Sequence, residues 1–186
     1  MTIQPGKAQT LKVLRLTVWG LAAALWLTPL IAMQFTREVQ WGPLSFVMFA
    51  GLLAGAAGIF DLLTRTSSHP AYIVAGALSL GAACLMVWAN LAVGIIGAED
   101  NPANLIVFGI ALIGLIGAAI SRLKARGLAL TLLIMALAQT LTAVATATIF
   151  DAGPPTALLC GGFAGVWLVS AGLFYIAGRP SGHHVA

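Results

Sequence analysis

Charge is what this sequence has least of. Of its 186 residues nine are Lys or Arg and five are Asp or Glu, together 8%, where a soluble domain carries about 25%. So few charges cannot cover a water-facing surface, and the solvent over most of the chain must be lipid. Cysteine is nearly missing too. Cys84 and Cys160 both lie inside apolar runs, which excludes a disulfide framework and reads as two small buried hydrophobes. Histidine is absent from every apolar run, with His69 in a loop and His183 and His184 in the C-terminal tail, so a bis-histidine membrane haem is not expected. No CxxC pair, His/Cys cluster, Walker loop, GxSxG elbow or HExxH helix occurs, and neither a metal, an organic cofactor nor catalysis is expected. No carboxylate lies deep in a run. Asp61 sits at a run's end near Arg65, so a transmembrane proton relay lacks its usual titrating groups. The net charge of +4 is spread between apolar segments and makes no continuous basic face, which argues against nucleic acid as a partner.

What the sequence has in quantity is apolar length. Six runs, 16–33, 44–63, 71–97, 103–120, 128–150 and 157–177, meet the requirement of about 20 mostly apolar residues per spanning helix. None alternates as a barrel strand would. The expectation is an all-α membrane protein whose six transmembrane helices form three helical hairpins in one bundle, a single domain over 1–186 with short tails. The third run is longest, implying a tilted helix or an end beyond the hydrocarbon. Residues 1–10, with Pro5-Gly6, read as a short flexible start. Lys7, Lys12 and Arg15 before the first run resemble a signal peptide's basic region, but the run is long and its end is an unconvincing cleavage site, so a retained helix is expected.

The loops orient the chain. With a cytoplasmic N-terminus, Lys7, Lys12, Arg15, Arg65, Arg122, Lys124, Arg126 and Arg179 all face inward, and only Arg37 faces out. Glu38, Glu99, Asp100 and Asp151 are then outside and Asp61 inside. The positive-inside rule favours that arrangement, with both termini cytoplasmic. Each outward turn, 40–43, 99–102 and 151–155, ends in proline as the returning helix begins, where the missing N–H costs nothing. The returning helices carry Gly51, Gly55 and Gly58, then Gly114 and Gly117, then Gly161 and Gly165. Lipid gives no hydrophobic drive for helices to associate, so close glycine-mediated contact is needed. That contact lies inside the monomer or on a face for a homo-oligomer or another membrane protein.

Polar residues at membrane depth are few and informative. Asn90, Gly94 and Gly97 share one helical face, and Gln139, Thr142 and Thr146 share another. An unpaired amide in hydrocarbon costs several kcal/mol, on the order of a lost hydrogen bond or more, so both faces should point inward. Counting at 1.5 Å per residue puts Asn90 about 10 Å below the outer end of its run, and Thr142 at a similar depth. Two readings stand side by side. In one, Asn90 and Gln139 are interhelical glue, and Asn101 is the N-cap of a helix opened by Pro102. In the other, Glu99, Asp100, Asn101 and Asn104 rim an outward-facing polar cup, floored by Asn90, Gln139, Thr142 and Thr146, that takes a cation or small polar solute. Trp19, Trp26, Trp41, Trp88 and Trp167 read as packing groups or interfacial anchors.

The segment 88–105, W-A-N-L-A-V-G-I-I-G-A-E-D-N-P-A-N-L, resembles the signature of an uncharacterised family of small multi-spanning bacterial inner-membrane proteins. Residues 32–41, A-M-Q-F-T-R-E-V-Q-W, and 136–139, A-L-A-Q, resemble further shared blocks. The resemblance implies an acidic residue just after the second block, where this chain has Ser45. It implies location and fold but no activity. The expectation is a non-enzymatic accessory or structural protein of a bacterial inner membrane, the alternative a small transporter or channel using the cup.

Overall fold

A computed structural model describes residues 5–37, 40–150 and 153–179. Glu38, Asp151, His183 and His184 lie outside the described residues. The fold is all-α. Helix α1 spans Pro5–Phe35, α2 Pro43–Thr66, α3 Pro70–Val93, α4 Leu105–Ile120, α5 Ala125–Thr148 and α6 Gly153–Ala177, with one 3-10 turn at Pro102–Asn104 ahead of α4. All six are long and apolar enough to cross a membrane, and the chain is a multi-pass membrane protein. Leu112, Leu115, Leu130, Leu137 and Leu141 are each more than half exposed, which only an apolar solvent tolerates on this scale.

Two helices begin or end where the pattern of residues did not place them. Helix α1 starts at Pro5, so most of the polar segment read as flexible is its first turns; proline at the first helical position needs no partner for an N–H it lacks. Helix α3 stops at Val93, four residues before its apolar run does. The last four residues of that run are therefore not helix but turn. Gly94 takes φ +70°, the chain turns, and Ile95 and Ile96 fold back under the turn at 6% and 0% exposure. Prolines open α2 and α3 in the same way as the 3-10 turn.

The six helices fall into two compact units. The first is the α1–α2 hairpin. Trp26 Nε1 donates to the Phe46 carbonyl at 3.1 Å, and the Trp26 and Trp41 rings stand edge-on to Phe46. At its other end Asp61, the one carboxylate inside a helix among the described residues, receives Arg15 at 3.3 Å and Arg65 at 2.7 Å.

The second unit is a four-helix bundle, α3 to α6. The tightest pair is α5 with α6; α3 lies against α6 and α4 against α5, while α3 and α4 touch little. Around the bundle the order is therefore α3, α6, α5, α4, with α3 and α5 not among the closely packed pairs. Gly117 admits Thr131 of α5 where a methyl group would collide, and Gly114 lies close against the thioether of Met135, 3.0 Å from where a methyl would sit. The glycines of α2 and α6 behave differently. A methyl added at Gly51, Gly55, Gly58, Gly161 or Gly165 would meet nothing within 4 Å, so they are not used for packing inside their own units.

Helix α4 ends with an unusual residue choice. The Leu123 N–H reaches the Ala118 carbonyl at 3.2 Å and the Arg122 N–H the Ala119 carbonyl at 3.1 Å. This is the Schellman pattern, whose turning residue is normally glycine. Here Arg122 has φ 50° and Leu123 φ 58°. The turn is held by Tyr72, whose hydroxyl donates to the Leu123 carbonyl at 2.6 Å and whose ring stands edge-on to Phe174 at 5.0 Å. Arg122→Gly is expected to raise stability by about 1 kcal/mol, since glycine adopts this conformation without strain. A melting curve in detergent no higher than that of the parent protein would contradict it.

Candidate functional site

The residues singled out in the sequence form two groups rather than one. The first is a clasp of three asparagines around the turn between α3 and α4. Asn90, at the end of α3, donates its Nδ2 to the Asn104 carbonyl at 3.2 Å, and its Oδ1 accepts the Ile95 N–H at 3.4 Å. Asn104 Oδ1 accepts two successive backbone N–H groups, Ile95 at 3.0 Å and Ile96 at 2.8 Å. Asn104 Nδ2 donates to the Ala98 carbonyl at 2.9 Å. Asn101 Oδ1 caps the Ala103 N–H at 2.9 Å, the N-cap role expected of it.

The chemistry explains the residue choice. Where the chain leaves α3, the N–H groups of the turn that follows have no helical carbonyl to bond, and lipid cannot pair them. Asn104 supplies one acceptor oxygen for two of them and a donor for the opposing carbonyl. An amide offers both functions without charge, on two separate atoms that can face opposite strands of the turn. Asn90 and Asn104 are 4% and 6% exposed, so these bonds form out of contact with solvent. Gly94 and Gly97 complete the clasp. Both have positive φ, and a Cβ on Gly97 would lie 2.9 Å from Asn101 Nδ2. Glu99 and Asp100 stand exposed at the tip. The distinctive run of 88–105 is thus accounted for as a turn that satisfies its own backbone.

The second group lies on α5 and α6. Thr142 and Thr146 are buried and donate to the carbonyls of Ala138 and Ala143 in their own helix. Gln139 is wholly buried, and neither its Oε1 nor its Nε2 makes a hydrogen bond. Its electrostatic neighbour is the Cys160 thiol of α6, a weak donor and weak acceptor that does not meet hydrogen-bond geometry. Both cysteines are free thiols.

Hydrogen bonds join Asn90, Asn101 and Asn104 about one turn, and none of those bonds reaches Gln139, Thr142 or Thr146. Asn90 lies three residues from the end of α3 and its amide is occupied by the turn. No hydrogen bond joins it to Gln139 or Thr142. Counting residues to Gly97 gave Asn90 too great a depth, because the helix does not reach Gly97.

Two further residues emerge: Trp167, which the sequence presented as a packing group or interfacial anchor, and Ser170, which it did not single out. Trp167 and Ser170 on α6 are wholly buried, and Trp167 Nε1 and Ser170 Oγ have no hydrogen-bond partner. Their one-dimensional signal was the spacing i, i+3 within an apolar run, which is also what ordinary core positions show. Among the described residues no group of three His, Cys, Asp or Glu could hold a metal ion. No protein-family model, no curated protein and no solved structure matches the chain.

Proposed function

We propose that this is a non-enzymatic accessory or structural protein of a bacterial inner membrane, with both termini in the cytoplasm. The observation that carries the reading is the use of the asparagine amides. Asn90 and Asn104 are spent on the backbone of their own turn, so the amides that would floor a cup there are already occupied. A turn so pinned is a rigid end to a hairpin. Exposed Glu99 and Asp100 at that end, and Arg122, Lys124, Arg126 and Arg179 at the other, support the orientation through the positive-inside rule. The likeness of 88–105 to bacterial inner-membrane proteins supports the location.

Orientation is tested by replacing Cys84 and Cys160 and introducing cysteine at Glu99 or Lys124. An impermeant maleimide is expected to label Glu99→Cys in intact cells and Lys124→Cys only after lysis. The reverse pattern would invert the topology. The second reading, a small transporter or channel, draws support from the unpaired Gln139. Proteoliposomes are expected to pass potassium ions and glycerol no faster than protein-free vesicles. Flux above that level, diminished in Glu99→Gln, would overturn the accessory role in favour of transport through the outer cup.

A further inference from the structure

Four polar atoms of three wholly buried side chains have no partner inside the second unit: Gln139 Oε1 and Nε2, Trp167 Nε1 and Ser170 Oγ. Gln139 is level with Cys160, its neighbour across the α5–α6 contact. Trp167 lies seven residues farther along α6, about 10 Å at 1.5 Å per residue. Helical side chains lean toward the N-terminus of their own helix. Helices α5 and α6 are joined by a short turn and packed along their length, so they run in opposite directions. Gln139 thus leans toward the Lys124 end, and Trp167 leans back toward the Glu99 end. The two side chains therefore lean toward each other across that separation, with Ser170 a turn beyond.

The geometry points to a binding site here: we propose that the interior between Gln139, Trp167 and Ser170 holds a small neutral molecule able both to donate and to accept hydrogen bonds, water being the smallest of that class. The indole N–H can only donate, while the glutamine amide and the serine hydroxyl do both, so an occupant must offer a lone pair and a proton together. Buried donors and acceptors in a protein interior are paired, commonly through internal water. A charged occupant does not fit. Among the described residues the buried polar ones of the second unit are Asn90, Asn104, Thr131, Gln139, Thr142, Thr146 and Ser170, and none carries the countercharge that a buried ion requires. This inference stands apart from the accessory role, because it concerns the bundle interior and not the turn.

Radiolytic footprinting of the full-length protein in detergent, in water enriched in oxygen-18, tests the proposal. A bound water cleaved by X-rays oxidises the side chains beside it. Each rated against its own intrinsic reactivity in the unfolded chain, Trp167 and Cys160 are expected to take up the label at least several-fold faster than Phe174 and Tyr72, which are equally buried. Gln139→Leu should remove most of that excess. Native mass spectrometry separates the two sources. Rapid labelling with the mass of the bare chain assigns water, and a small adduct missing from Gln139→Leu assigns an organic solute. If the variant does not fold, the wild-type rates and mass still decide. Labelling of Trp167 and Cys160 no faster than that of Phe174, with no adduct, would overturn the site.

Discussion

Asn104→Ala is expected to destabilise the protein by about 3 kcal/mol or more, the largest effect of any single side-chain truncation at the α3–α4 turn. The substitution removes three hydrogen bonds at once. It leaves the Ile96 N–H without its acceptor in a position that is 0% exposed. The Ile95 N–H keeps only the long 3.4 Å contact to Asn90 Oδ1. A buried donor or acceptor left unpaired costs about 1 to 3 kcal/mol, and neither lipid nor packed side chains can stand in for the lost amide. Asn101→Ala provides the contrast. It removes one cap at a half-exposed position and should cost about 1 kcal/mol. Thermal unfolding of both variants in the same detergent measures the difference. Equal, small shifts would mean that the turn does not depend on Asn104.

Gly94→Ala is expected to cost a similar amount, about 3 kcal/mol, for a different reason. Gly94 combines φ 70° with ψ 133°, a region nearly closed to residues with a Cβ. An added methyl would also lie 2.8 Å from Asn104 Nδ2, 2.9 Å from the Ala98 carbonyl oxygen and 2.9 Å from Glu99 Cα. Two of those three atoms are backbone and cannot swing away. Strain and collision each contribute about 1 to 3 kcal/mol. The collision also pushes on the amide that closes the clasp, so Gly94→Ala and Asn104→Ala should be less than additive when combined. Proteinase K digestion gives a second readout, because a loosened turn exposes the backbone around Ala98. Parental resistance and an unchanged melting temperature in Gly94→Ala would contradict the account.

These two expectations change what a functional test at this turn can mean. Asn90→Leu removes a bond to the Asn104 carbonyl and so disturbs the turn itself. A loss of binding or transport in that variant would report on structure. Glu99, exposed at the tip and outside the clasp, can be changed without that ambiguity.

Much of this architecture was legible in the residues alone. Apolar length set the number of spans, since a backbone in hydrocarbon must pair all its own polar groups and an apolar segment long enough to span satisfies that as a helix. Proline marked where α2 and the 3-10 turn ahead of α4 would begin, and Asn101 declared itself a cap by standing just before Pro102. Paired carboxylates and cations at opposite ends of the runs suggested their direction.

The choice of neighbours was decided only in three dimensions. Lipid tails are as apolar as leucine, so burying one helix face rather than another changes little in solvation and leaves little periodic trace in the sequence. Helix α3 chose α6, and α4 chose α5, through shape: Gly117 receiving Thr131, Gly114 receiving Met135, Tyr72 meeting Phe174. The same holds for the amides. Asn90 and Gln139 look alike in sequence, each a lone amide in an apolar run. One is closed into a turn because α3 unwinds four residues early and brings Asn104 back beside it. The other stays unpaired because its helix continues past it and its neighbour is a thiol. Where a backbone leaves its helix depends on a single glycine dihedral, and that is settled by the contacts the folded chain makes around it.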